Sequence, residues 1–258
     1  MVRGLYTAQL GMTTQMKKLD VISNNIANVN TTGFKRDAIA TQSFSEELMK
    51  RLNDPGPFSF GFRHAVPIGR ITSGVFLDTV FTNFVSGSMV ETGNALDLAI
   101  QGNGFFAVQV TNAAGSVSEL YTRDGNFSLS NGQLVTSDGA AVVGSNGPIT
   151  IPDGHISIDE FGNIFANGEF VDTIRIVDFE DRSTLRSTKN NMFATTEDSV
   201  FMTAAGRVHQ GALEGSNVNS AREMIEMITI NRTYEANQRA ITIIDNTLNR
   251  VVNDIARR

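Results

Sequence analysis

The chain of 258 residues contains no cysteine and no tryptophan, only 3 histidines, and 5 prolines that all fall in its middle. Missing thiols exclude disulfides, thiolate metal sites, iron–sulfur clusters and a cysteine nucleophile together, and leave the redox compartment undetermined. No run of about 18 apolar residues occurs, and the opening MVRGLYTAQLGM lacks the continuous hydrophobic core of a secretory signal, so neither a membrane span nor a cleaved leader is expected. An excess of positive charge is absent too. With 21 Lys+Arg against 27 Asp+Glu the balance is −6, which offers no general attraction to nucleic acid or to an anionic lipid bilayer.

What is present is unevenly distributed. The last glycine is Gly215, so the final 43 residues hold no helix breaker. Residues 1–36 carry a balance of +4 and residues 216–258 one of +1, which leaves −11 in the middle.

Both ends read as long helices. Leu5, Met12, Leu19 and Ile26 recur at a spacing of seven, with Ala8, Gln15, Ile22 and Val29 three places on, which is the seam of a heptad pattern. A helix over roughly residues 3–31 would be about 40 Å long, and it would stop at Asn30-Thr31-Thr32-Gly33, where glycine can take the left-handed conformation. At the other end Met227, Tyr234, Ile241, Leu248 and Ile255 form one row, and Ile230, Asn237, Ile244 and Val251 its partner. Ser220-Ala-Arg-Glu223 fits a capping box at the start of this helix, and Asn237 is a single polar interruption of the kind that sets register. Each helix could lie on the core of its own domain. Against that, the seams are narrower than the stripe such a helix usually shows, and the two helices enclose all the rest of the chain.

Between Ala95 and Phe179 short β-branched and aromatic runs alternate with turn dipeptides: Asp-Gly at 124–125, 138–139 and 153–154, and Asn-Gly at 131–132, 146–147 and 167–168. NFSLSNGQLVT reads as one hairpin, and the whole stretch as an all-β sandwich or rolled sheet. The expected fold is mixed α and β: N- and C-terminal helices pairing as a coiled-coil-like layer, with an all-β domain inserted between them. The expected divisions are 1–36 with 216–258 as a terminal helical domain, 37–86 as an extended or irregular linker, and 87–215 as the β-rich domain.

Motifs that would carry chemistry are weak. Gly102-Asn-Gly104-Phe-Phe-Ala107 formally satisfies a dinucleotide fingerprint, but it runs into another strand and not into the helix whose N-terminus holds the pyrophosphate, so it reads as a tight turn. His64, His155 and His209 are scattered without metal-ligand spacing. Asp159-Glu-Phe-Gly-Asn163 lacks the alternating oxygens and closing glutamate of a calcium loop, and no G-x-S-x-G elbow occurs. No catalytic residue, cofactor, metal or small-molecule substrate is expected.

Three stretches resemble one family. Leu19-Asp-Val-Ile-Ser-Asn-Asn-Ile-Ala-Asn-Val-Asn-Thr-Thr-Gly-Phe-Lys35 is similar to the N-terminal signature of bacterial flagellar rod and hook proteins. Leu213-Glu-Gly-Ser-Asn-Val-Asn219 and Met224–Gln238 resemble their C-terminal signature. Thr92–Phe106, Tyr121-Thr-Arg-Asp-Gly125 and Gln133-Leu-Val-Thr-Ser-Asp-Gly139 are similar to the β domain of the rod proteins. The resemblance covers about half the chain. Within the family the length suits a rod protein of the proximal or distal type and falls short of a hook protein.

The resemblance implies a structural subunit of the flagellar basal-body rod in the cell envelope. Such a subunit is exported unfolded by the flagellum's own export apparatus, without a cleaved signal, and polymerises with itself and other rod or hook subunits. It further implies that Leu5, Met12, Leu19, Ile22, Ile26, Met227, Ile230, Tyr234, Asn237, Ile241, Ile244 and Leu248 form assembly seams. Asn24, Asn25 and Asn28 would either fray the helix or bond through their amides to backbone or neighbouring subunits. Gly33 would cap and reverse the chain, with Phe34 packed behind it. The alternatives are an accessory scaffold or cap of the hook–basal body and, more remotely, an enzyme acting on the cell wall.

Overall fold

The structure, a computed structural model, describes residues 2–43, 47–51, 66–72, 74–111, 117–188 and 190–256. His64 lies outside the described residues. The chain forms two compact units, one of residues 1–24, 38–81 and 221–258, the other of residues 25–37 and 82–220.

The first unit is built on two helices, α1 (Val2–Ala27) and α2 (Ser220–Ala256). A Cβ added at Gly4 would lie 3.3 Å from Ile244 Cδ1, and one at Gly11 would lie 2.9 Å from Asn237 Nδ2. Seven residues forward on α1 therefore match seven residues back on α2, and the helices run antiparallel where they meet. On α2, Ile230 is buried and Met227, Tyr234, Asn237, Ile241, Ile244 and Leu248 are half-buried, while most positions between them are exposed. On α1, Ala8 and Ile22 are buried and Leu5, Met12, Leu19 and Ile26 half-buried. Up to Leu248 the seven-residue period thus follows the covered face of each helix, whereas Val251, expected in the row of Ile230, Asn237 and Ile244, is exposed. Glu223 stands in the first turn of α2 and is buried.

Within 37–86, where an extended or irregular linker is expected, the described residues include four strands. Asp37–Ser43 pairs with Val75–Thr82, and Glu47–Arg51 pairs antiparallel with Val66–Ile71. The second ladder shifts register between Met49 and Lys50, where Pro67 faces Lys50; a proline has no N–H to give a ladder, which confines it to such a place. Proline content suggested irregularity, yet only Pro67 of the three in this stretch falls among the described residues. Thr14 of α1 donates from Oγ1 both to Leu10 O at 2.9 Å and to Val75 O at 3.1 Å.

The second unit is β. Its largest sheet has ten strands, and the strand Phe105–Thr111 sits inside it, paired with Val117–Thr122, Ala141–Gly144 and Ile176–Phe179. Successive side chains of a strand point to opposite faces. Phe106 and Val108 enter one core with Leu98, Phe127, Leu134, Val142, Ile149 and Ile164, whereas Phe105 and Ala107 enter another with Tyr121, Phe179 and Phe193. That is why GFFAVQV reads as a continuous apolar run and not an alternating one: both faces are covered. Two of the three Asn-Gly turns adopt the conformation the dipeptide favours, with Asn131 and Gly132 at φ 52° and 79°, and Asn167 and Gly168 at 53° and 87°, whereas at 146–147 only Gly147 has positive φ. Phe127–Ser130 and Gln133–Thr136 are the arms of the first hairpin. The second joins two strands of a separate sheet, Ile156–Ile158, Asn163–Ala166 and Glu169–Thr173. Gly102 and Gly104 stand in the turn before Phe105–Thr111, at φ 100° and 143°.

Candidate functional site

The segment that follows α1 folds into the β unit and does not continue the helix. The helix ends at Ala27, short of the expected Thr31, and the next residues turn through Asn28 N→Asn25 O and Thr31 N→Asn28 O bonds. Asn25 is fully buried. Its Nδ2 donates to Asp37 O at 2.9 Å and its Oδ1 accepts from Asp37 N at 3.0 Å, so one amide side chain takes both backbone groups of a residue twelve positions on. Asn28 Oδ1 accepts from Thr31 Oγ1 at 3.1 Å, and Asn24 is exposed. Two of the three asparagines therefore shape the turn, the use to which short amide side chains are suited.

Gly33 is not the helix cap it was expected to be. It lies six residues beyond Ala27, at φ +65°, with its N–H donating to Glu214 O at 2.7 Å. A Cβ there would come within 2.5 Å of Arg123 C and Asp124 N. Glycine is required by both the left-handed backbone and the absence of room for a side chain. Phe34 is half-buried, and its carbonyl accepts from Asn217 N at 3.4 Å. Thr32 is held on both sides: its Oγ1 donates to Asp124 Oδ1 at 2.6 Å, and its carbonyl accepts from Asn191 Nδ2 at 2.9 Å.

Beside this turn lies a buried charge cluster. Lys35 Nζ donates to Glu214 Oε1 at 2.6 Å and to Val85 O at 3.1 Å, and Lys35 and Glu214 are each 2% exposed. Glu214 Oε1 also accepts from Gly87 N at 2.9 Å, and its Oε2 lies 3.5 Å from Arg123 Nη1. Arg123 spends its other donors on the carbonyls of Ile100 and Gly102 and sits over the Phe105 ring, 5.6 Å from its centre. Burial pushes the Lys35 ammonium and the Arg123 guanidinium down from their ordinary values, and Glu214 opposes the shift in both. Next to the cluster, Asn217 Oδ1 accepts from Arg36 N at 2.7 Å while its Nδ2 donates to Asn83 O and Val85 O. Gly215 N donates to Ser88 O at 2.7 Å, and a side chain on Gly87 would overlap Gly215 O.

The arrangement ties residues 25–37, 83–88 and 211–218 into one body with the β sheet. Of the signature-turn positions, Asn25, Asn28, Gly33 and Phe34 belong to it. Sequence reasoning passed over Lys35, Arg123, Glu214 and Asn217, although all four stand inside the stretches that carried the family resemblance. Among the described residues no group of three or more His, Cys, Asp or Glu is placed to hold a metal, and His209 Nε2 lies 2.8 Å from Gln101 Oε1.

Comparison with known proteins assigns these same stretches. Residues 5–35 match the family model described as flagella basal body rod protein, residues 99–166 the flagellar hook protein FlgE/F/G D1 domain, and residues 209–255 the flagellar basal body rod FlgEFG protein C-terminal model. The chain is 35% identical to the flagellar basal-body rod protein FlgG of Agrobacterium fabrum, over 95% of this chain and 96% of the relative. It is 35% identical to FlgG of Bacillus subtilis over 98% and 99% of the two chains, and 34% identical to the rod protein FlgF of Caulobacter vibrioides over 96% and 94%. Each match spans nearly the whole of both chains. The chain belongs to the flagellar basal-body rod protein family and is a structural subunit of the rod, in the basal body of the cell envelope.

Proposed function

We propose that the subunit polymerises through its terminal helices into the axial shaft, after export by the flagellar apparatus, and that it meets other rod and hook subunits as well as its own copies. The observation that carries this reading is the helix pair itself: two long helices, meeting antiparallel at Gly4 with Ile244 and Gly11 with Asn237, that expose Ile225, Ile228, Ile243 and Val252 to solvent in a lone chain. Exposed apolar rows on a helix mark a surface made to be covered. Coiled-coil-like packing of the helices, with Asn237 as the register-setting polar residue, is part of this reading. So is a mechanical role without catalysis. The β unit, with its two buried cores and its charge cluster, is the folded body that the chain builds between its two helices.

Heterologous contacts that do not close into a ring generate a filament, as a shaft requires. The experiment compares the full chain with a chain lacking residues 1–24. Sedimentable polymers should form from the first and not from the second, while far-ultraviolet circular dichroism shows the β unit of the second still folded. Equal assembly of both would overturn the role given to the helices.

A further inference from the structure

Besides the Asn-Gly pairs at 131–132, 146–147 and 167–168, a fourth stands at Asn103-Gly104. An asparagine before glycine cyclises more readily than before any other residue, because no Cβ stands beside the attacking nitrogen. The glycine nitrogen attacks the side-chain carbonyl carbon, a C–N bond forms, and the amide nitrogen leaves as ammonia with the proton that the glycine nitrogen gives up. Water then opens the cyclic imide at one of its two carbonyls. One opening yields aspartate, the other isoaspartate, in which the chain runs on through the side-chain carbon. The step asks two things of a fold: a side chain free to swing, and a following nitrogen that the backbone does not turn away from it.

Three of the four pairs are held against it. Asn131 and Asn167 have a left-handed backbone, at φ 52° and 53°, which points the next N–H away from the residue's own side chain. Asn167 is fastened as well, its Oδ1 accepting from His155 N at 3.0 Å and its Nδ2 donating to Asp153 O at 3.3 Å. Asn146 Nδ2 donates to Asp172 Oδ1 at 3.2 Å, against a side chain that is buried. Asn103 meets neither obstacle. It has an ordinary negative φ and is exposed, and among the described residues neither its side-chain amide nor the Gly104 N–H is engaged in a hydrogen bond. The turn around it has no slack: a Cβ on Gly104 would lie 2.9 Å from Ile176 Cγ2, one on Gly206 would lie 2.5 Å from Asn103 O, and Arg123 takes the carbonyls of Ile100 and Gly102. Isoaspartate would add one backbone atom at this point.

We propose that Asn103 is the residue at which the folded chain deamidates, through the cyclic imide, and that the isoaspartate so formed loosens the turn that Arg123 holds. Water is the only reactant taken up and ammonia the only one released. The dipeptide is common to all four pairs, so the choice of Asn103 comes from the fold.

The full chain is held at neutral and at mildly alkaline pH, with and without urea, then digested and sequenced by tandem mass spectrometry. In the folded chain Asn103 should convert at least about tenfold faster than Asn131, Asn146 or Asn167, a difference of about 1.4 kcal/mol in barrier. Conversion should quicken at the higher pH, because the Gly104 nitrogen must give up its proton. In urea the four pairs should convert at similar rates, since only the dipeptide then sets the rate. Isoaspartate should accompany aspartate at residue 103, the mark of a ring opened at either carbonyl. The isoaspartate form, separated by chromatography, should unfold at a lower urea concentration than the parent, while Asn103→Asp, which carries the charge without the lengthened backbone, unfolds near it. Equal rates at the four pairs in the folded chain, aspartate alone at residue 103, or an isoaspartate form as stable as the parent overturns the proposal. A preference for Asn103 that survives undiminished in urea does so too, because it would owe nothing to the fold.

Discussion

The ammonium of Lys35 reaches the carboxylate of Glu214 at 2.6 Å across 179 residues of sequence, with both side chains buried. Removing one member of a buried pair leaves the other uncompensated, at a cost of about 3–5 kcal/mol, whereas removing both is often far milder. Lys35→Met should therefore destabilise the β unit by about 3–5 kcal/mol in urea unfolding. The double variant Lys35→Met/Glu214→Gln should lose less than the two single losses together, by about 0.5–3 kcal/mol of coupling. Additive losses would mean that the pair is not interacting as the distance indicates.

Gly33 allows a sharper distinction than a glycine turn usually does. Asparagine commonly tolerates the left-handed region, so at an open turn Gly33→Asn would be mild. Here any Cβ meets the Arg123–Asp124 backbone at 2.5 Å, so Gly33→Ala and Gly33→Asn should both lower the melting temperature, each by more than the roughly 1 kcal/mol of backbone strain alone. Calorimetry of the two variants checks this, and a near-native Gly33→Asn would contradict the close approach.

The Asp124 carboxyl is raised above its ordinary 3.8 by burial, against the hydrogen bonds it receives from Thr32 and from the Asn126 N–H. A raised value in the folded state contributes stability that is complete below pH 3.8 and is lost as pH rises through the folded value. Asp124→Asn keeps an oxygen acceptor and removes the charge. Its stability relative to the parent should be least favourable at low pH and should improve towards neutrality, as read from urea midpoints across the range.

At the helix contact Gly11 faces Asn237, whose amide is the end of a side chain and can move. Gly11→Ala should be close to neutral, because about 1 kcal/mol of gained helix propensity offsets the displacement. Gly11→Leu should cost about 1–3 kcal/mol by overpacking. Amide exchange in α2 should quicken in the leucine variant, with protection of Phe105–Thr111 in the β unit unchanged.

Local pattern made much of this legible. The heptad positions from Leu5 to Ile26 and from Met227 to Leu248 fall on the less exposed face of α1 and α2, Asn237 among them, whereas Val251 of the same row is exposed; a helix repeats its faces every few residues, so the pattern needs no distant partner. The Asn-Gly turns at 131–132 and 167–168 were equally plain, since their backbone conformation is one the dipeptide favours. The strand pairs within 37–86 were not legible, because pairing joins residues far apart, such as Glu47 with Ile71, and composition carries no trace of it. The junction was half legible: its asparagines and Gly33 stood out as unusual residues at a helix end, but their partners did not.

From the sequence alone come the two helices, their apolar faces, the β character of the middle, the family, and the segregation of charge between ends and centre. Each of these is written in short-range periodicity, in a turn dipeptide, or in a contiguous stretch of residues. Only the tertiary structure shows that the chain following α1 belongs to the β unit, that Gly33 is held open by the backbone at Arg123, and that Lys35, Arg123 and Glu214 share one buried site. A charged side chain reads as surface in any window of sequence. Its burial depends on a counter-charge that the fold brings in from elsewhere, and no local pattern announces the meeting.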